Sequence, residues 1–416
     1  MERENNMSKI IKRFFEALTK KKLLLASFAL LFVFPIATPS AYYLSLLAEM
    51  LIWALLAMSY DLALGYTGLV SFGHAAPFGI GAYAVALFLR MNFPFPLAIL
   101  IALLFGALVG LVLGIFTFRV GGIYYALVTL AFAEMIFAIF NKWVELSGGE
   151  TGISVSRPEF LRFDLLLYLM FAISIAIAIV LFLTMLHNLK NKNETIKNKI
   201  AYCTFIAVFL AIMIYSFPLK LNILLEGSLM EKNTMIMVMN TYYFIALIPL
   251  AICYFIARRI VDSPMGKIFV AIRENEERTK MLGYDVSIYK LTASIISSMF
   301  ASLAGALYTP FALSISPYSV LSSAIMINIL LYSILGGLGT LVGPMLGAGI
   351  ITLLANELTS IRGVGEYWML ILGIFYIIVI LFFPYGIVIT WKIKGVSVKK
   401  NIKKLAKLIK TSMRGK

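Results

Sequence analysis

Apolar runs of membrane-crossing length recur along the whole chain, each bounded by charge or by Gly and Pro. They lie near 23–39, 42–62, 77–90, 95–118, 121–140, 165–186, 200–219, 235–257, 286–309, 320–335, 340–357 and 366–389. A bilayer core about 30 Å thick takes roughly 20 residues per helix. No water is available there for backbone polar groups, so spans of this length must close their hydrogen bonds internally. The pattern predicts an all-α polytopic bundle of about 12 spans (10–12). The runs 77–90 and 320–335, and more mildly 23–39, are short for a full crossing, as broken or re-entrant segments are. Of the 416 residues 61% are hydrophobic and only 13% are charged, against about 45–50% and about 25% in soluble domains. Soluble globular, disordered and disulfide-scaffold classes are thereby excluded.

The formal net charge of +16 follows the same alternation. With twelve spans and an inside N-terminus, 29 basic residues fall on inside segments and 7 on outside ones, as the excess of Lys and Arg in cytoplasmic loops requires. Both termini are expected in the cytoplasm. The chain divides into a basic N-terminal segment 1–22, a transmembrane domain 23–391 and a basic tail 392–416. Both tails place apolar residues at helical spacing among lysines, which suits an anionic leaflet rather than nucleic acid. Leu23–Ile36 followed by Ala37-Thr38-Pro39-Ser40-Ala41 has the shape of a signal peptide; retention of that run as an anchor is the expected outcome.

No catalytic or metal constellation stands out. Cys203 and Cys253 sit in apolar runs, His74 and His187 are the only histidines, and neither HExxH nor GxxxxGK[ST] occurs. The expectation is no catalytic residue, no metal and no cofactor.

Four features carry polar or conformational information. The block Gly65–Tyr83 holds Gly68, Ser71, Gly73 and His74. It reads either as a broken segment near a pathway or as a tight turn before a closely packed helix. Gly106, Gly110 and Gly114, spaced by four, predict close helix–helix approach. Glu49 and Glu134 lie within spans and Asp61 near a span end; such groups are functional candidates, with lining or structural roles favoured over proton relay. Last, Ser263–Gly283 follows Arg258-Arg259 and starts at Pro264. It predicts a short charged helix, 264–283, on the cytoplasmic side, a handle for a partner or a solvated loop helix.

The blocks Gly65–Tyr83, Gly122–Glu134 and Ser263–Gly283, with Tyr289-Lys290, Ala304–Tyr308, Ser316-Pro317, Gly336–Ala348 and Pro384-Tyr385-Gly386, resemble the membrane permeases of ABC importers for branched-chain amino acids. The resemblance covers roughly 40–155 and 240–390, and the chain looks like the longer of the two paired permeases. It implies a plasma-membrane subunit of a prokaryotic importer that works with a second permease, two cytoplasmic ATP-binding subunits and an extracytoplasmic substrate-binding protein. The substrate would be a small amino acid. It implies that 264–283 couples to the ATPase through Gly266, Arg273, Glu274, Glu276, Glu277, Arg278 and Gly283. The family's Glu-Ala-Ala…Gly pattern falls on Glu277, Arg278, Thr279 and Gly283, with both alanines replaced. Candidates for the translocation path are Gly68, Ser71, Gly73, His74, Glu134, Gly337 and Gly339. Residues 156–234 depart from the family pattern as an insert with two apolar runs. The rival class is an ion-coupled secondary transporter using Glu49 and Glu134.

Overall fold

The computed structural model describes residues 41–156, 231–361, 367–382 and 386–390. The expected spans 23–39, 165–186 and 200–219, both basic tails, His187 and Pro384-Tyr385 lie outside the described residues. The chain divides into two compact units, residues 1–45 with 159–245 and residues 46–158 with 246–416. In the first, the described residues 41–45 and 231–245 are helical.

The helices are α1 Ala41–Asp61, α2 Ala75–Arg90, α3 Phe95–Phe116, α4 Ile123–Lys142, α5 Val144–Ser147, α6 Glu231–Asp262, α7 Pro264–Glu274, α8 Glu276–Met281, α9 Val286–Ala312, α10 Pro317–Val320, α11 Ser323–Gly336, α12 Val342–Ser360 and α13 Trp368–Phe382. Two-residue strands β1 Ile153–Ser154 and β2 Ser314–Ile315 pair antiparallel. All nine expected runs that fall on described residues are helical. Seven described segments are long and apolar enough to cross a bilayer: Ala41–Tyr66, Phe95–Phe116, Ile123–Lys142, Thr241–Asp262, Val286–Ala312, Pro317–Gly336 and Val342–Ser360. The protein is an all-α, multi-pass membrane protein.

In the second unit α9 packs between α2 and α3 through small residues and hydroxyls. The Gly106, Gly110, Gly114 stripe of α3 faces Ser302, Ser298, Ser294 and Leu291 of α9, so the glycines serve close approach, as expected. The α9 hydroxyls donate to backbone carbonyls across the contact: Ser294 Oγ to Gly110 O (2.8 Å), Ser302 Oγ to Ala102 O (2.6 Å) and Thr309 Oγ1 to Ala82 O (2.8 Å). Without a hydrophobic drive between helices in lipid, van der Waals packing and such interhelical bonds hold spans together. Around this seam Leu55, Leu56, Met58 and Tyr60 of α1, Phe78 and Val85 of α2, and Ala301 and Ala304 of α9 are fully buried.

One local expectation is revised, and two of the expected runs are given their bounds. The segment 264–283 is two helices, because Asn275 adopts an extended conformation and its side chain accepts from Arg278 N, starting α8 afresh. The 320–335 run is broken at Leu321-Ser322, where α10 ends and α11 begins. The last run, 366–389, is a regular helix over Trp368–Phe382.

Candidate functional site

The end of α1 is built around a buried charge. After Asp61 the helix widens into a π-turn over Leu62–Tyr66, a geometry that recurs at functional sites. The Asp61 carboxylate is fully buried. Its two oxygens accept from Gly339 N (2.6 Å) and Leu341 N (2.9 Å), in the loop between α11 and α12. Leu341 is held at φ 58, outside the range a leucine ordinarily adopts. Such strain persists where surrounding bonds over-determine it, and here the bond to Asp61 does so. Gly65 must be glycine, because a Cβ there would overlap the Asp61 carboxylate and Gly339 N.

A third chain segment closes the junction. Arg273, near the end of α7, donates from Nη1 to the carbonyl oxygen of Gly65, and its charge acts on Asp61. A Cβ on Gly339 would lie 2.8 Å from Arg273 Nη1, and one on Gly68 (φ 75) would lie 3.0 Å from Arg273 Cγ. Both glycines therefore leave room for the guanidinium stem. Three separate segments, 61–68, 273 and 339–341, are tied by three hydrogen bonds. Arg273, Glu274, Glu276, Lys290, Gly121 and Tyr125 are among the residues that line an open cavity of about 250 Å³.

The helices α7 and α8 are seated on the unit in the same manner. Ser263 caps α7 by accepting from Gly266 N, and Gly266 lies against the backbone of Ile260 and Val261 with no room for a side chain. Phe269 and Ile272 are buried, with Phe269 edge-on to Tyr289 at 6.5 Å. Glu276 takes Lys290 Nζ at 2.5 Å and Lys280 Nζ at 2.9 Å. Partial burial alone would raise its pKa, but the bonds from Lys290 and Lys280 outweigh that and hold the carboxyl below its ordinary value. A depressed carboxylate stabilises the fold above its unfolded pKa and ceases to do so as pH falls through the folded one. Lys290 is buried, but the Glu276 side chain is 37% exposed, so the worth of the pair is discounted to about 1 kcal/mol. Acidification below about pH 4 is therefore expected to increase proteolytic cutting at 275–283. In Glu276→Gln that acid-dependent step should be missing, which limited proteolysis across pH checks.

The sequence-predicted coupling residues thus separate into two sets. Gly266 and Glu276 face the bundle and hold α7 and α8, and Arg273, though itself exposed, reaches the Gly65 carbonyl, whereas Glu274, Glu277 and Arg278 are exposed. Gly283 (φ 89) ends the segment with open space around it. Met281 and Leu282 project nearby, 86% and 70% exposed.

The path candidates do not gather in one place. Gly68 and Gly339 join the Asp61 junction. Gly337 (φ 107) sits in the same α11–α12 loop. Ser71 is buried and accepts from Gly73 N. Gly73 itself lies against Thr129 of α4. His74 is buried, with its Nε2 2.9 Å from Ser59 Oγ and 3.5 Å from Ser297 Oγ and Tyr60 alongside. A histidine so enclosed by hydroxyls reads as a packing element. Glu134 is exposed on α4, opposite the buried Tyr125, Thr129, Ala133 and Ile136. What sequence reading missed is the meeting of Asp61 with the 339–341 backbone and of Lys290 with Glu276. The signal for Asp61 was present, a carboxylate at a span end beside a glycine, but its partners are backbone amides of a distant loop.

The chain was compared with known proteins. A family model described as "Branched-chain amino acid transport system / permease component" matches residues 42–380. The chain is similar to the high-affinity branched-chain amino acid transport system permease protein LivM of Salmonella typhimurium and of Escherichia coli, 26% identical to each over 341 residues, 81% of this chain and 68% of each relative. It is also similar to a probable ABC transporter permease protein, y4mJ, of Sinorhizobium fredii, 27% identical over 146 residues, 34% of this chain and 42% of that one. No solved structure matches it. With the family model covering most of its length, from the start of α1 to near the end of α13, the chain belongs to the branched-chain amino acid transport system permease family.

Proposed function

We propose that this chain is the membrane permease of an ATP-driven importer of branched-chain, or related small, amino acids in a prokaryotic plasma membrane. It works with a second permease, two cytoplasmic ATP-binding subunits and an extracytoplasmic substrate-binding protein. Family membership supports the class. The observation that carries the mechanism is the junction of Arg273 with Gly65 and of Asp61 with Gly339 and Leu341.

In this reading α7 and α8 form the cytoplasmic coupling segment, 264–283. The ATP-binding subunit docks against Glu274, Glu277, Arg278 and the exposed Met281 and Leu282. Its movement on ATP binding is passed through Arg273 to the end of α1 and to the α11–α12 loop together. Rigid-body shifts of this type convert a binding event into alternating access, and the permease forms no covalent bond to its cargo. Glu134 has a matching role on the outer face of α4. A carboxylate mid-span costs about 2.5–3.5 kcal/mol against lipid, so that face is covered by the second permease and borders the path.

The test is uptake by the reconstituted complex. ATP-dependent import of leucine, isoleucine or valine is expected only with all subunits present, and gradient-driven import by this chain alone would overturn the reading. In Arg273→Ala, assembly and ATP hydrolysis should persist while import falls by about 5- to 150-fold, the range of typical coupling energies. Parallel assays of phosphate release and labelled amino acid uptake check this.

A further inference from the structure

Glu49 lies about a third of the way along the 26-residue span Ala41–Tyr66, far from the Asp61 junction. An ionised carboxylate at that depth is costly unless paired. No ion pair among the described residues includes it. Its partners among the described residues are two weak neutral donors. Trp53 Nε1 donates to Oε1 at 3.2 Å and Asn356 Nδ2, from α12, to Oε2 at 3.4 Å; the asparagine amide also donates to Thr352 O at 3.0 Å. A carboxylate offers about four acceptor positions, so at least half of its capacity is unused among the described residues. The side chain is half-buried and not sealed.

What surrounds the carboxylate is aromatic. Trp53 stacks on Phe78 at 5.5 Å and meets Tyr308 at 5.6 Å and Tyr332 at 6.4 Å; Phe78 and Tyr308 are 5.7 Å apart. A carboxylate with free lone pairs beside π-faces is the chemistry that binds an ammonium ion, by charge-assisted hydrogen bonds and by cation–π attraction. Trp53 and Tyr308 are only partly buried and can meet a branched apolar group, whereas Phe78 is fully buried.

We infer that Glu49, with Asn356 and the Trp53–Tyr308–Tyr332 aromatic wall, is an intramembrane subsite for the α-ammonium group of the amino acid in transit. This deepens the transport reading and rests on it. The subsite is transient by design, since two long hydrogen bonds already hold the empty carboxylate. Glu49 then alternates between neutral donors and a cationic guest, which gives the cargo a way-station without a deep trap.

The experiment uses the reconstituted importer with all its subunits. Glu49 is labelled with dicyclohexylcarbodiimide, a carbodiimide that modifies carboxyl groups in apolar surroundings, and Glu49→Gln serves as the unlabelled control. L-Leucine is expected to slow labelling at least threefold, and 4-methylpentanoate, the same skeleton without the ammonium, is expected to have no effect. Glu49→Gln should reduce the maximal import rate about tenfold, with Glu49→Asp recovering part of it and with unchanged melting temperatures in detergent. Labelling that is insensitive to leucine, or slowed equally by both compounds, overturns the subsite. So does a Gln variant that imports at the wild-type rate. If the wild-type complex imports no amino acid at all, the transport reading itself fails, which is a different result from any of these.

Discussion

Asp61→Asn is expected to reduce ATP-driven import at least as much as any single substitution outside the ATP-binding subunits. The carboxylate accepts two backbone N–H bonds, at 2.6 and 2.9 Å, with no solvent contact. An asparagine keeps one acceptor oxygen and turns an NH2 donor toward a second N–H. One buried donor is then unpaired and faces another, and the positive charge of Arg273 loses its counter-charge. Losses of this type run to about 2–5 kcal/mol. Import is expected to fall below detection, with a lower melting temperature in detergent. The strained Leu341 supplies an internal check. Its φ of 58 is tolerated while the Asp61 bond is present, so Leu341→Gly in the Asp61→Asn background should recover part of the lost stability by removing the strain. If the asparagine variant melts and imports as the wild type does, the junction has no role.

The second large effect is expected at the α2–α9 seam. A Cβ on Gly305 would overlap the carbonyl of Phe78, and one on Gly81 would overlap the backbone of Ser302. The two helices thus each insert a glycine against the other's backbone. Gly305→Val pushes α9 away and pulls Thr309 from Ala82 O and Ser302 from Ala102 O. Overpacking a tight contact costs typically about 1–3 kcal/mol, and each stranded hydroxyl adds to it. The expected result is loss of folded protein from the membrane fraction, read by detergent-extracted yield and fluorescence-detected gel filtration. Gly121→Ala is the matched control, since that position has open space around it, and it should be recovered at wild-type levels.

The two sites differ in how far the chain sequence announces them. The helices themselves are legible, because a run such as 95–118 holds no charged residue and its one proline sits in the first turn. The glycine stripe at 106, 110 and 114 is legible for a related reason: spacing by four puts all three on one face, and glycine in lipid has little use except close approach. The partner of that stripe is not legible. That Ser294, Ser298 and Ser302 of α9 receive it depends on which spans are neighbours, and apolar patterning is nearly silent on neighbour choice when every span is greasy on all sides.

The coupling segment shows the same division at single-residue scale. Charge density and Pro264 mark 264–283 as a short charged helical element distinct from the apolar spans. Whether Arg273 or Arg278 is the one that reaches the bundle backbone does not follow from spacing, since both sit in a run of charges. The break at Asn275 decides it, by giving α7 and α8 separate axes and leaving Arg273 over Gly65 while Arg278 faces solvent. Similarly, Glu276 and Glu277 are adjacent and chemically alike, yet only the first meets Lys290.

The sequence alone determined class, the membrane-spanning helices and the family, because each rests on local composition or on a contiguous motif. The tertiary structure decided which polar groups matter together. Asp61 binds amides of residues 339 and 341, Arg273 binds the carbonyl of residue 65, and Glu49 stands beside rings from α9 and α11. These partners are backbone atoms or distant side chains whose approach is set by helix packing, and no periodicity in the chain encodes a backbone amide as the acceptor's mate.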